Sequence, residues 1–109
     1  MHELYVLTMT LPTEDQILDA LRAVVDPELG MNIVDLGLIY GVEVEPDRIS
    51  IRMTMTTPAC PMSGLITDNV RETLAAFTEG AAAIDVELVW DPPWHPGMMA
   101  DVARTLFGV

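Results

Sequence analysis

One stretch of this 109-residue chain carries the densest reactive chemistry, Thr56-Thr57-Pro58-Ala59-Cys60-Pro61-Met62-Ser63-Gly64. It holds the only cysteine. An ordinary thiol titrates near pH 8.5, so only about 3% of it is thiolate at neutral pH. A position at the start of a helix supplies free backbone N–H groups and the positive end of the helix dipole, and both favour the thiolate. Cys60 stands between a strand-like run and a helix-like one, with a proline at Pro58 and another at Pro61, so it is a candidate metal or cluster ligand. The competing reading is a buried structural cysteine, because free cysteines are among the most buried residue types. Thr56 and Thr57, just before it, fit a helix cap or a strand end.

Other ligands are scarce. The only histidines are His2 and His95. A thiol enzyme would need a base such as His95 beside Cys60, but a loop residue near a helix start is the more ordinary role for His95. There is no Cys-x-x-Cys and no His-x-x-x-His, so nothing supports a self-contained zinc site. An iron–sulfur cluster needs about four ligands, mostly thiolates, and one chain offers one. A cluster would therefore be shared between chains, with two Cys60 thiolates from a homodimer and further ligands from a small thiol or a partner, and would be exposed and transient. Asp35 is the carboxylate that calls for a reason, lying in the apolar stretch "NIVDLGLIY". It either accepts backbone N–H bonds and braces its loop, or serves as a polar partner to Cys60. Trp90 and Trp94 flank "DPP" and either anchor that loop in the core or present an exposed contact to a partner.

These residues need a scaffold. Thr13 and Gln16 form a capping box, and Ile17, Leu18, Leu21, Val24 and Val25 recur at helical spacing up to Pro27. "DPELGMNIVDLG", Asp26 to Gly37, has no regular period and reads as a functional loop that also covers the core with Leu29, Met31, Ile33 and Val34. Leu38 to Val44 reads as a strand. Ile49 to Thr56 alternates strictly, with Ile49, Ile51, Met53 and Met55 inward and Ser50, Arg52, Thr54 and Thr56 outward. Pro61 suits the first turn of a second helix reaching Phe77 or Thr78, with Leu65, Ile66, Val70, Leu74 and Phe77 inward. Ile84 to Trp90 reads as a third strand. A last helix should pack Met98, Met99, Val102, Ala103, Leu106 and Phe107 on one face and end at Gly108.

The order helix-strand-strand-helix-strand-helix implies a two-layer α+β domain, a small mixed three-stranded sheet packed with about three helices. The second and third strands should run parallel, while the sheet neighbour of the third strand stays open between the first and the second. The expected organisation is an N-terminal extension over residues 1–12 and one domain over residues 13–109. The formal charge is −12, with five arginines and no lysine. That argues against nucleic acid and anionic membranes as partners. No apolar run spans a bilayer and the start lacks a signal-peptide pattern, so a soluble, cytoplasmic protein is expected.

Three stretches together, "VVDPELGMNIVDLGLIYGVEV", "MTMTTPACPMSGLI" and "VELVWDPPWHPGMM", resemble the MIP18 (DUF59) family of small iron–sulfur assembly factors, which includes the SufT-like bacterial proteins. The resemblance runs from about Thr13 to Val109. It implies an iron–sulfur-assembly-type α+β fold and an accessory, non-enzymatic role in assembling clusters or delivering them to apo-proteins. It also implies that the partners are the assembly machinery and apo-clients. Cys60 matches the motif cysteine and takes from it the ligand role, with Asp35, Thr56 and Thr57 at motif positions beside it. Two alternatives stand. One is a protein-interaction adaptor in which Cys60 is structural and the Trp90–Trp94 loop recruits clients. The other is a maturation factor of the phenylacetate-degradation (PaaD-like) type; those members carry extra C-terminal cysteines that this sequence lacks, which ranks that alternative lower.

Overall fold

A computed structural model describes residues 12–57 and 63–108. The first helix, α1 (Glu14–Leu21), starts where its capping box requires. Thr13 Oγ1 accepts from the Gln16 N–H at 3.1 Å, and Gln16 Oε1 accepts from the Thr13 N–H at 2.9 Å. The helix ends four residues sooner than its apolar spacing suggests. Ala23 and Val24 close it with N–H bonds to Ala20 and Leu21, a tightening that finishes many helices. Asp26 precedes Pro27, which disfavours helical backbone there. The chain therefore extends, and Val25–Asp26 forms a short strand, β1, antiparallel to β2 (Met31–Asn32). Val24 is buried, whereas Val25 points outward. The region expected to be an irregular loop thus contains a two-stranded ladder.

The main sheet has β3 (Ile39–Glu45), β4 (Arg48–Met53) and β5 (Ala83–Leu88) in the order β3-β4-β5. β3 and β4 are an antiparallel hairpin, and β4 and β5 are parallel. The neighbour of the third strand is therefore the second. Alternation in β4 places Ile49, Ile51 and Met53 in the core. Beyond Met53 it breaks down, because Thr54 and Met55 are both buried. Thr54, expected on the outward face, has left the ladder geometry, although its N–H still donates to the Leu38 carbonyl at 2.8 Å.

α2 (Ser63–Phe77) lays Ile66, Val70 and Leu74 on the core. Leu65 and Phe77, expected inward, are exposed. An i, i+4, i+8 row spans only a narrow stripe, and those two residues flank it. Gly80, at φ +78°, ends the helix by donating its N–H to the Ala75 carbonyl. A 3₁₀ turn, Pro96–Met98, precedes α3 (Asp101–Phe107), and Gly108 ends α3 at φ +72°. Only Met99 and Ala103 of this region are buried; Val102, Leu106 and Phe107 are exposed. The expected continuous apolar face fails because the helix starts only at Asp101, leaving two turns that touch the core through one small side chain. The core thus lies between the inner face of the sheet and α1, α2 and the start of α3, closed at one end by Ile33, Leu36 and Leu38. This is an α+β fold.

Candidate functional site

Strand direction gathers the motif segments. Ile39 opens β3 opposite Met53, which closes β4, and Met53 pairs in parallel register with Leu88 at the end of β5. Residues 35–38, 54–57 and 89–95 therefore all leave the sheet at the same end. Hydrogen bonds tie them together there. The Thr54 N–H donates to Leu38, and the Val89 N–H donates to Met53, both at 2.8 Å. Cys60 and Pro61 lie outside the described residues, between Thr57 and the start of α2 at Ser63. Thr56 is half-buried and Thr57 exposed on the segment leading to them.

Asp35 is held by side chains. Its Oδ2 accepts from Asn32 Nδ2 at 2.9 Å, and its own N–H donates to Asn32 Oδ1 at 2.9 Å. Arg22 Nε lies 3.7 Å from Oδ1. The carboxylate that accepts backbone N–H bonds is a different one, Asp26, which is 1% exposed. Its Oδ1 accepts from the Glu28 N–H at 2.8 Å and the Leu29 N–H at 3.3 Å, and its carbonyl takes the Gly30 N–H at 2.7 Å. The bracing role considered for Asp35 thus belongs to Asp26. An Asp-Pro pair opening a loop is the sequence signal for such a turn. Among the described residues no three His, Cys, Asp or Glu side chains come together as metal ligands. One buried hydroxyl at this end, Thr54 Oγ1, has no hydrogen-bond partner among the described residues.

The loop after β5 covers the 35–37 segment. The Trp94 indole N–H donates to the Leu36 carbonyl at 2.8 Å, and the Ala100 N–H donates to the Asp35 carbonyl at 2.8 Å. Between them, Gly37 sits at φ +80° against the Met98 backbone, where a Cβ would stand 2.3 Å from the Met98 carbonyl oxygen. The two tryptophans therefore differ in burial. Trp94 anchors the loop against the core, and Trp90 remains 42% exposed. His95 caps the 3₁₀ turn, its Nδ1 accepting the Gly97 N–H at 3.1 Å. This is the helix-start role expected for it.

Tyr40 was not singled out from the sequence. Its hydroxyl donates to the Pro92 carbonyl at 2.8 Å and lies 3.4 Å from Met98 Sδ. Desolvation, and then the Asp91 carboxylate, raise the phenol above its ordinary value of 10.0. A raised value means that the neutral, donating form is the one the fold favours. Its contribution is complete below pH 10 and is lost as pH rises through the folded value. In a spectrophotometric alkaline titration, the difference between wild type and Tyr40→Phe should therefore show one phenol ionising later than a free tyrosine. A Tyr40 signal at the ordinary value would contradict this arrangement.

The sequence pattern of the iron–sulfur cluster assembly protein family matches residues 14–88. The chain is 40% identical over 97 residues to the Fe-S protein maturation auxiliary factor YitW of Bacillus subtilis, covering 88% of this chain and 94% of that one. It is 42% identical over 87 residues to the auxiliary factor SufT of Staphylococcus aureus, covering 79% of this chain and 98% of that one. Among solved structures, a DUF59 domain from Bacillus anthracis superposes with a TM-score of 0.83 at 39% identity, covering 88% of this chain and 92% of that one. A conserved hypothetical protein of Thermotoga maritima gives 0.77 at 40% identity, with 92% and 98% covered.

Proposed function

The chain belongs to the iron–sulfur cluster assembly protein family, and on that premise we propose that it is an accessory factor that carries or helps deliver clusters to apo-proteins. The observation that carries the reading is the convergence of three motif segments at one end of the sheet, next to the residues that lead into Cys60. In this reading the cluster is cargo and Cys60 is its thiolate ligand, with Asp35, Thr56 and Thr57 lining the approach. One thiolate per chain leaves a cluster under-coordinated, so a second copy adds its own Cys60 and the further ligands come from a small thiol or a partner. Ligands shared between chains suit handover. The chain performs no turnover of its own and works in the cytoplasm, with the assembly machinery and apo-clients as partners. Residues 13–109 act as the working domain, with residues 1–12 as an extension.

A second reading, a protein-interaction adaptor, draws on the exposure of Trp90 beside a firmly anchored loop. Anaerobic reconstitution of the wild-type protein with iron and sulfide separates the two. The carrier reading expects charge-transfer absorption, a shift in size to a dimer, and loss of the absorption when an apo-client is added. A protein that stays colourless and unchanged in size yet still binds the client belongs to the adaptor class.

A further inference from the structure

We propose a second recognition site on the outer face of the sheet: the groove between Arg52 and the 91–98 loop docks an extended, largely apolar segment of a partner protein that carries a single carboxylate. This inference does not depend on the cluster. Four of the five arginines pair with carboxylates: Arg22 with Asp19 and Asp35, Arg48 with Asp85, Arg71 with Asp68, and Arg104 with Asp101. Arg52 pairs with none among the described residues, in a chain with 17 acidic residues. Acidic neighbours are not lacking, since Glu87 is its register partner on β5.

Its guanidinium instead lies over Gly41, the register partner on β3. A Cβ at Gly41 would stand 2.7 Å from Arg52 Nη2 and 3.0 Å from Nε. The absence of a side chain there is what seats the cation. Arg52 then forms one wall of an open groove of about 530 Å³, shared with Ile39, Tyr40, Asp91, Pro92 and Met98. The groove thus combines one planar cation without a partner and apolar walls. Tyr40 is fixed by its bond to Pro92 and braces the loop side. A guanidinium recognises a carboxylate through paired N–H donors. Arginine, tyrosine and methionine are also the residue types enriched in protein contact surfaces. The complementary ligand is a carboxylate side chain flanked by apolar ones. Asp91 on the rim adds selectivity, since it would repel a segment carrying several acids in a row.

The test uses the full chain and blocked peptides, acetyl-Ala-Leu-Glu-Leu-Ala-amide and its Gln and Lys counterparts, followed by NMR. The Glu peptide should shift the Arg52 side-chain N–H and the Tyr40 and Met98 signals saturably. The Gln peptide should bind about fivefold more weakly, the scale of a solvent-exposed ion pair, and the Lys peptide more weakly still. Arg52→Gln should erase the Glu-over-Gln preference. Gly41→Ala should erase it as well while leaving the melting temperature in place, because its Cβ meets only the end of a flexible side chain. Cys60→Ala should leave all of this unchanged, so failure of the carrier role and failure of this site give different results. Equal binding of the Glu and Gln peptides would overturn the proposal, as would shifts confined to other surfaces. Self-association that disappears in Arg52→Gln would give the groove to a second copy and overturn it equally.

Discussion

Gly37→Ala should lower the melting temperature by roughly 10–20 °C, corresponding to about 2–4 kcal/mol in a domain of this size. Two costs combine. The backbone at φ +80° is a conformation that a side chain makes unfavourable by about 1–2 kcal/mol. The new Cβ would also meet the Met98 carbonyl oxygen at 2.3 Å, a backbone atom that cannot rotate away. Gly30→Ala is the built-in control. Its φ of +70° carries the same backbone cost, but nothing lies within 4 Å of the Cβ. The excess loss in Gly37→Ala over Gly30→Ala therefore measures the close approach alone. Equal losses in the two variants would mean that the 96–98 turn yields easily and does not hold the motif loop.

The largest functional effect is expected from Cys60→Ala. Under the carrier reading it removes the sole thiolate that the chain can offer to iron, and a methyl group cannot replace it. Cluster transfer to an apo-client, followed by recovery of the client's activity, should fall to the rate seen without the protein. Client binding should persist, because the substitution leaves the exposed Trp90 and the proposed Arg52 groove untouched. Cys60→Ser, with an oxygen ligand of lower affinity for iron, should retain at most weak loading. If both variants transfer clusters at the wild-type rate, Cys60 is not the ligand and the carrier reading fails. If wild type and variants alike transfer nothing but bind the client, the adaptor reading takes its place.

Regular spacing made much of this architecture legible in the sequence. The capping box of Thr13 and Gln16, the alternation of Ile49, Ile51 and Met53, and the Gly80 and Gly108 helix ends all appear where local chemistry places them. What escaped was set by tertiary contact. The short β1–β2 ladder has only two residues per strand, too few to show a period. Val25, Leu65 and Phe77 satisfy a helical pattern yet face outward, because helix length and burial depth are fixed by neighbours and not by spacing. At the site, the sequence drew attention to Asp35 as an odd carboxylate in an apolar run, but the acid accepting backbone N–H groups is Asp26. Tyr40 and the seat that Gly41 gives Arg52 were invisible for a different reason. Each depends on a residue across the sheet or in a loop far along the chain, and no single stretch contains both halves.

The contacts of Asp35, Leu36 and Gly37 bear on where this fold can be cut. Three successive residues of the motif loop lean on Ala100, Trp94 and Met98 in turn. The family pattern stops at residue 88, short of all three. A fragment trimmed to that pattern would keep each recognised motif while leaving two carbonyls bare and the loop without its cover. Likeness to relatives and mechanical self-sufficiency thus have different borders in this chain. The portion that can be transplanted into another protein with its loop intact must include the turn through Ala100 and the seat of Ala103 in the core.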